Sequence, residues 1–154
     1  MFDIKGIKEP LSLNEALKEL DMNKDLKIIC GGTDVLIKLH HGKMYDAELL
    51  SIKNIDDLKE IKILKDNTIS IGAAVTFSDI FRNEIINTYI PILSEAAVSM
   101  GGPQIRNMAT IGGNVCNGAV SADSAPALFS LNALLKLKSL NGERIVNITD
   151  FYEG

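Results

Sequence analysis

The chain has no tryptophan, and aromatic residues make up only 5% of its 154 positions. That shortage removes the ring platforms on which single-stranded nucleic acids stack. Positive charge is not in excess either: 16 Lys and Arg stand against 20 Asp and Glu, a net charge of −4. A basic footprint for DNA, RNA or anionic lipid is therefore excluded. Cysteine is scarce, with Cys30 and Cys116 far apart and outside any CxxC or Cys/His cluster. A zinc or iron–sulfur site in this chain is not expected. With no signal-peptide pattern present, the two thiols are read as buried and reduced, in a cytoplasmic protein. The longest apolar runs are too short to span a bilayer. What remains is 46% hydrophobic and 23% charged. This suits one sizeable core, or two small subdomains that share one.

The opening "MFDIKGIKEP" reads as a short strand ended by Pro10. In "SLNEALKEL", Ser12 and Glu15 have capping-box spacing, and Leu13, Ala16, Leu17 and Leu20 form one apolar stripe, so a helix is predicted. "DLKIIC" and "AELLSI" read as buried strands. Between them "GGTDVLIKLHHG" turns at two glycines, continues as a helix and closes at Gly42. Residues 1–52 thus form a small parallel β-α-β-α-β subdomain. In residues 53–154 the pattern changes. "LKEIKIL" and "TISIGAAV" alternate around a polar turn, and "TFSDIFRN" is a helix capped by Thr76 or Ser78. "PILSEAAVSMGG" is a helix with Pro91 near its start. "NALLKLKSLNGERIVNI" is a hairpin centred on Asn141-Gly142, a type I′ pair. The second subdomain is accordingly α/β with an antiparallel sheet, and the fold class is α+β.

Two glycine-rich stretches carry the chemistry. In "KIICGGTDV" a strand meets a helix, where consecutive backbone N–H groups can converge on an anion. Gly31 and Gly32 remove the Cβ atoms that would keep a phosphate away. It is neither a Walker A loop nor a GxGxxG fingerprint, and Asp34 argues against an anion site unless it points elsewhere. Taken alone, the stretch is better explained as a tight turn capped by Thr33 or Asp34. "ATIGGNVCNG" offers bare backbone at Gly112 and Gly113 among Thr110, Asn114 and Asn117; alone, it reads as a β-bulge and loop. "SADSAPAL" then starts a helix near Ser121, Asp123 or Ser124. Asp123 could accept from ribose hydroxyls or serve as a cap. Taken together, the two stretches suit a ligand with a diphosphate and a flat ring system. His40 and His41 are read as surface residues at a helix end. No catalytic side-chain set is evident, which fits a cofactor that carries its own chemistry.

"KIICGGTDVLIKL" and "GGPQIRNMATIGGNVCNGAVSADSAPAL" resemble the FAD-binding subunit of molybdenum hydroxylases, xanthine dehydrogenase of bacteria in particular. The resemblance implies a PCMH-type, vanillyl-alcohol-oxidase-type FAD fold with FAD between the two subdomains. It implies that Lys27, Ile28, Ile29, Cys30, Gly31, Gly32, Thr33 and Asp34 hold the diphosphate through backbone amides, with the Asp34 carboxylate directed away. Ala109, Thr110, Ile111, Gly112 and Gly113 would form the second FAD segment, with Asn114 beside it and Asp123 on the cofactor. Met100 falls where relatives carry a ring against the flavin. Electrons would arrive from [2Fe–2S] clusters on an iron–sulfur subunit and leave to NAD. Purine hydroxylation would occur on a molybdopterin-containing, molybdenum-binding subunit. Members of the family run to about twice this length, so a C-terminal domain is expected to be absent. The alternative reading is a non-catalytic assembly module of the same complex that does not hold FAD alone.

Overall fold

The computed structural model describes residues 3–152. Three strands, β1 (Ile4–Lys8), β2 (Lys27–Ile29) and β3 (Ala47–Ser51), form a parallel sheet in the order β1-β3-β2. The central position of β3 follows from its composition. Leu49 and Leu50 point to opposite faces and both are fully buried. Leu50 packs with Ala16, Leu26 and Ile55 under helix α1 (Leu13–Met22). Leu49 packs with Leu39 and Ala47 under helix α2 (Val35–His40). The predicted α1 stripe is present, and Ser12 Oγ accepts from the Glu15 N–H at 3.2 Å. The reciprocal bond of the cap comes from Leu11 N–H to Glu15 Oε2, one residue earlier than the capping-box pattern. Strand β2 departs from expectation. It lies at the sheet edge, so Lys27 is exposed and Ile28 is 51% exposed. An apolar run cannot by itself tell a central strand from an edge strand.

The rest of the described chain builds a second core around Phe77, Ile80, Ile86, Leu93 and Ile148, all essentially without solvent contact. Its antiparallel strands form two separate hairpins, β4 (Ile61–Ile63) with β5 (Ile69–Ile71) and β6 (Leu134–Ser139) with β7 (Gly142–Asn147). The second hairpin is where predicted, but its register pairs Ser139 with Gly142, so the connecting residues are Leu140 and Asn141. Neither takes a positive φ, so the turn is not the type I′ pair expected. Helices α3 (Phe77–Arg82) and α4 (Glu84–Tyr89) are capped by Thr76, in a full capping box with Asp79, and by Asn83. Ser78, the other predicted cap, is buried and donates to Asn107 Oδ1 instead. Helix α5 (Pro91–Ser99) carries Pro91 at its first turn, and α6 (Pro103–Arg106) follows.

The largest correction concerns residues 109–118. Ile111–Asn117 is a helix, α7, not a bulge and loop. Two glycines make it a poor helix by propensity. It forms because Thr110 Oγ1 caps it at the Gly113 N–H, while Ile111 and Val115, one turn apart, both bury into the core. Gly118 closes it at φ 60° in the left-handed region. Helix α8 (Ser124–Ser130) is the last α-helix among the described residues, followed after the second hairpin by a 3₁₀ turn at Ile148–Asp150. None of these helices is long and apolar enough to cross a membrane.

Candidate functional site

The fold brings the two glycine stretches against each other. The turn after β2 meets the backbone ahead of α7 so closely that a Cβ on Gly31 would lie 1.8 Å from the Met108 carbonyl oxygen. Gly31 is bare because another stretch of main chain occupies its side, not because a ligand does. The same holds for Gly112, whose Cβ would come within 2.6 Å of Ala73. Gly32, at φ 76°, needs the left-handed conformation, and a Cβ there would press on Leu36 and Ile29. Gly113 is exposed, with only Thr110 Oγ1 near its missing Cβ, at 3.0 Å. Of the four glycines it is the most exposed, Gly31 and Gly112 being half-buried and Gly32 buried.

The amides of the two stretches are in opposite states. Around α7 they are used: Ile111 N–H donates to Val75 O, Gly112 N–H to Ala73 O, Gly113 N–H to Thr110 Oγ1, and Asn114 N–H to Thr110 O. A bridge between Thr76 and Thr110 belongs to the same seam. In the turn after β2, no described residue accepts from the N–H groups of Gly31, Gly32, Thr33 or Asp34. Gly32 is a buried residue. A buried N–H without a partner is rare in folded proteins and calls for an acceptor. The turn therefore fits an anionic group, and the first stretch, not the second, has amides to offer it.

Side chains extend the contact. Cys30 lies beside Thr110, and burial pushes its thiol above the ordinary range despite the Thr110 hydrogen bond and the nearby Lys53 and Lys59. Cys116 differs from the predicted buried thiol. It keeps exposed surface while its neighbours still raise its pKa by desolvation, and both cysteines are free. Asn117 Nδ2 donates to Asp34 Oδ1 at 3.1 Å, and Asn117 Oδ1 accepts from Lys38 Nζ at 3.0 Å. Asp34 is thus turned toward α7 and does not cap α2. Asn114 is half-buried, and its Oδ1 accepts from the buried Ser124 hydroxyl.

The remaining candidates are dispersed. Lys27, Ile28 and Ile29 are the edge strand itself. Ala109, Thr110 and Ile111 are buried, and Ile111 belongs to the core. Met100 also belongs to that core at 7% exposure, which leaves little of its thioether to meet a ring. Asp123 is exposed, stands ahead of α8 and makes no cap bond, so its carboxylate is open to a ligand. His40 and His41 are exposed at the end of α2, as expected. Residue reading missed Arg106, whose Nη1 reaches the carbonyls of Val98, Met100 and Gly101 at 3.1, 3.2 and 2.6 Å and closes the loop ahead of α6. It also missed the partnership of Asn117 with Asp34 and Lys38. Their sequence separation leaves no local signal. No group of three or more His, Cys, Asp or Glu that could hold a metal occurs among the described residues.

The seam thus sets free amides of a glycine turn against the head of α7, an arrangement that fits an anionic group. The profile described as "FAD binding domain in molybdopterin dehydrogenase" matches residues 2–154, and the chain belongs to that family. It is 41% identical over 154 residues to the xanthine dehydrogenase FAD-binding subunit of Escherichia coli O157:H7, covering all of this chain and 53% of that protein. It is 37% identical over 147 residues to the nicotinate dehydrogenase FAD-subunit of Eubacterium barkeri, covering 94% of this chain and 49% of the relative. The chain spans about half the length of these curated relatives. Among solved structures, carbon monoxide dehydrogenase from Hydrogenophaga pseudoflava superposes with a TM-score of 0.95 at 28% identity, over all of this chain and 54% of that one. Quinoline 2-oxidoreductase from Pseudomonas putida 86 does so with a TM-score of 0.94, also at 28% identity and with the same coverage. The α+β, PCMH-type fold and the kinship with FAD-binding subunits of molybdenum hydroxylases are thereby shown.

Proposed function

We propose that this chain holds FAD in an electron-transfer module of a molybdenum hydroxylase similar to xanthine dehydrogenase. The observation that carries the reading is the set of unpaired N–H groups from Gly31 to Asp34, seated against the stretch that begins at Ala109. The diphosphate takes the amides of Gly31, Gly32, Thr33 and Asp34, with the Thr33 hydroxyl as a further donor. Lys27, Ile28, Ile29 and Cys30 hold that turn in place as the strand leading into it. Exposed Gly113 lets the flavin or its ribityl chain approach, with the Asn114 amide and the Asp123 carboxylate as polar partners. Ala109, Thr110, Ile111 and Gly112 serve as the rigid floor beneath. Met100 supports that floor from the core. When bound, FAD supplies the redox chemistry; the protein contributes position and hydrogen bonds.

Under this reading, [2Fe–2S] clusters on an iron–sulfur subunit deliver electrons, NAD accepts them, and a molybdenum-binding subunit carries molybdopterin and hydroxylates a purine or related N-heterocycle. The experiment is a titration of the purified protein with FAD, FMN and riboflavin, followed by flavin fluorescence polarisation. Saturable binding of FAD well ahead of riboflavin supports the diphosphate site. Equal, weak binding of all three removes it.

A further inference from the structure

Asn117 spends both ends of its side chain on the turn's own helix. Its amide nitrogen holds the Asp34 carboxylate and its amide oxygen holds the Lys38 ammonium. These partners also fix which end of the amide faces which residue, since a carboxylate can only accept and an ammonium only donate. Asp34 stands at the head of α2, where an aspartate ordinarily accepts from the N–H groups two and three residues ahead, here Leu36 and Ile37. Here it does not, and among the described residues the amides of Gly31, Gly32, Thr33 and Asp34 have no acceptor. The only carboxylate in the turn is instead drawn across the seam to α7.

We propose that Asn117 is a positioning residue for the cofactor's diphosphate: by holding Asp34 against α7 it keeps the carboxylate away from the phosphates that the turn's amides take. Lys38, on the far end of the same amide, balances the Asp34 charge. The inference rests on the diphosphate reading above. It explains how a turn that contains an aspartate serves an anion.

The test is a mutant cycle on the purified protein, with FAD and riboflavin titrations for Asn117→Ala, Asp34→Asn and the double variant. Released by Asn117→Ala, the carboxylate can approach the phosphates, and FAD affinity falls about tenfold, the order of one charge-assisted hydrogen bond. Riboflavin, which has no phosphate, loses much less. Asp34→Asn in the Asn117→Ala background removes the competing charge and restores most of the FAD affinity. A bridge that merely braces α2 on α7 gives the opposite result, since Asp34→Asn breaks it as well and rescues nothing. Asn117→Ala with FAD affinity unchanged, or a double variant as weak as Asn117→Ala alone, overturns the inference and leaves the diphosphate reading in place. A parent protein that prefers FAD no more than riboflavin overturns both.

Discussion

Gly31 and Met108 share a space that admits no side chain, since a Cβ at residue 31 would sit 1.8 Å from the Met108 oxygen and 2.6 Å from its carbonyl carbon. Neither atom can rotate away, because both are main chain. Gly31→Ala must therefore part the turn after β2 from the stretch ahead of α7. A loss of about 1–3 kcal/mol of stability is expected, as for overpacking in a core. Urea unfolding monitored by circular dichroism would show it as a lower midpoint with little change in slope.

Gly113 offers the contrasting case. Its missing Cβ faces only Thr110 Oγ1, and the residue is exposed. Gly113→Ala adds helix propensity worth about 0.5–1 kcal/mol while crowding the Thr110 cap, so the net change in stability is expected to be within about 1 kcal/mol of zero. Gly113→Val, with a branched Cβ, should weaken FAD binding without unfolding the protein. A folded Gly113→Val protein with parental FAD affinity would remove Gly113 from the cofactor face.

Arg106 gathers three carbonyls on one nitrogen. Arg106→Ala should cost about 1–2 kcal/mol, the range for hydrogen bonds from a charged donor lessened by partial exposure. Arg106→Lys should recover only part of it, because a point charge cannot reproduce the guanidinium geometry. Hydrogen exchange should quicken first in residues 98–102. Protection there that matches the parent would show that the loop is held by packing alone.

The two thiols give a pH dependence of definite sign. Burial raises Cys30 and Cys116 above their usual value of 9.0. A group whose pKa is raised on folding contributes stability below its unfolded pKa and loses it as pH climbs through the folded one. Stability should thus be flat with respect to these thiols at neutral pH and decline above about pH 9. Cys30→Ser should reduce that alkaline decline. An alkaline limb identical in the parent and in the Cys30→Ser, Cys116→Ser double variant would assign it to other groups, such as Tyr152, which burial and Cys116 also push upward.

Much of the architecture was legible because it is written locally. The α1 stripe, the Ser12 cap, the helix-closing Gly42 and the alternation of β6 and β7 all act within a few residues. The edge position of β2 was not legible, since Ile28 and Ile29 read the same whether covered on both faces or one. Helix α7 was hidden by Gly112 and Gly113; the Thr110 cap and the Ile111–Val115 spacing were the signals that would have revealed it. The two glycine pairs do meet in the fold, for a reason partly different from the one read in the sequence. Gly31 and Gly112 are bare for neighbouring backbone, and Gly113 is the one of the four that is exposed. The roles of Asn117 and Arg106 depend on contacts that no spacing rule encodes.

The seam at Thr110 joins three distant stretches: Gly31 on one side, Ala73 to Phe77 on the other, and residues 108–112 between them. Its contacts span long sequence separations, so their loop-closure entropy must be met before any of them is rewarded. No isolated peptide holding either glycine stretch can carry the geometry, and the seam should be among the last parts of the fold to form. The free amides of the turn would then exist only in molecules that have finished folding, so any ligand they bind would select for completed chains.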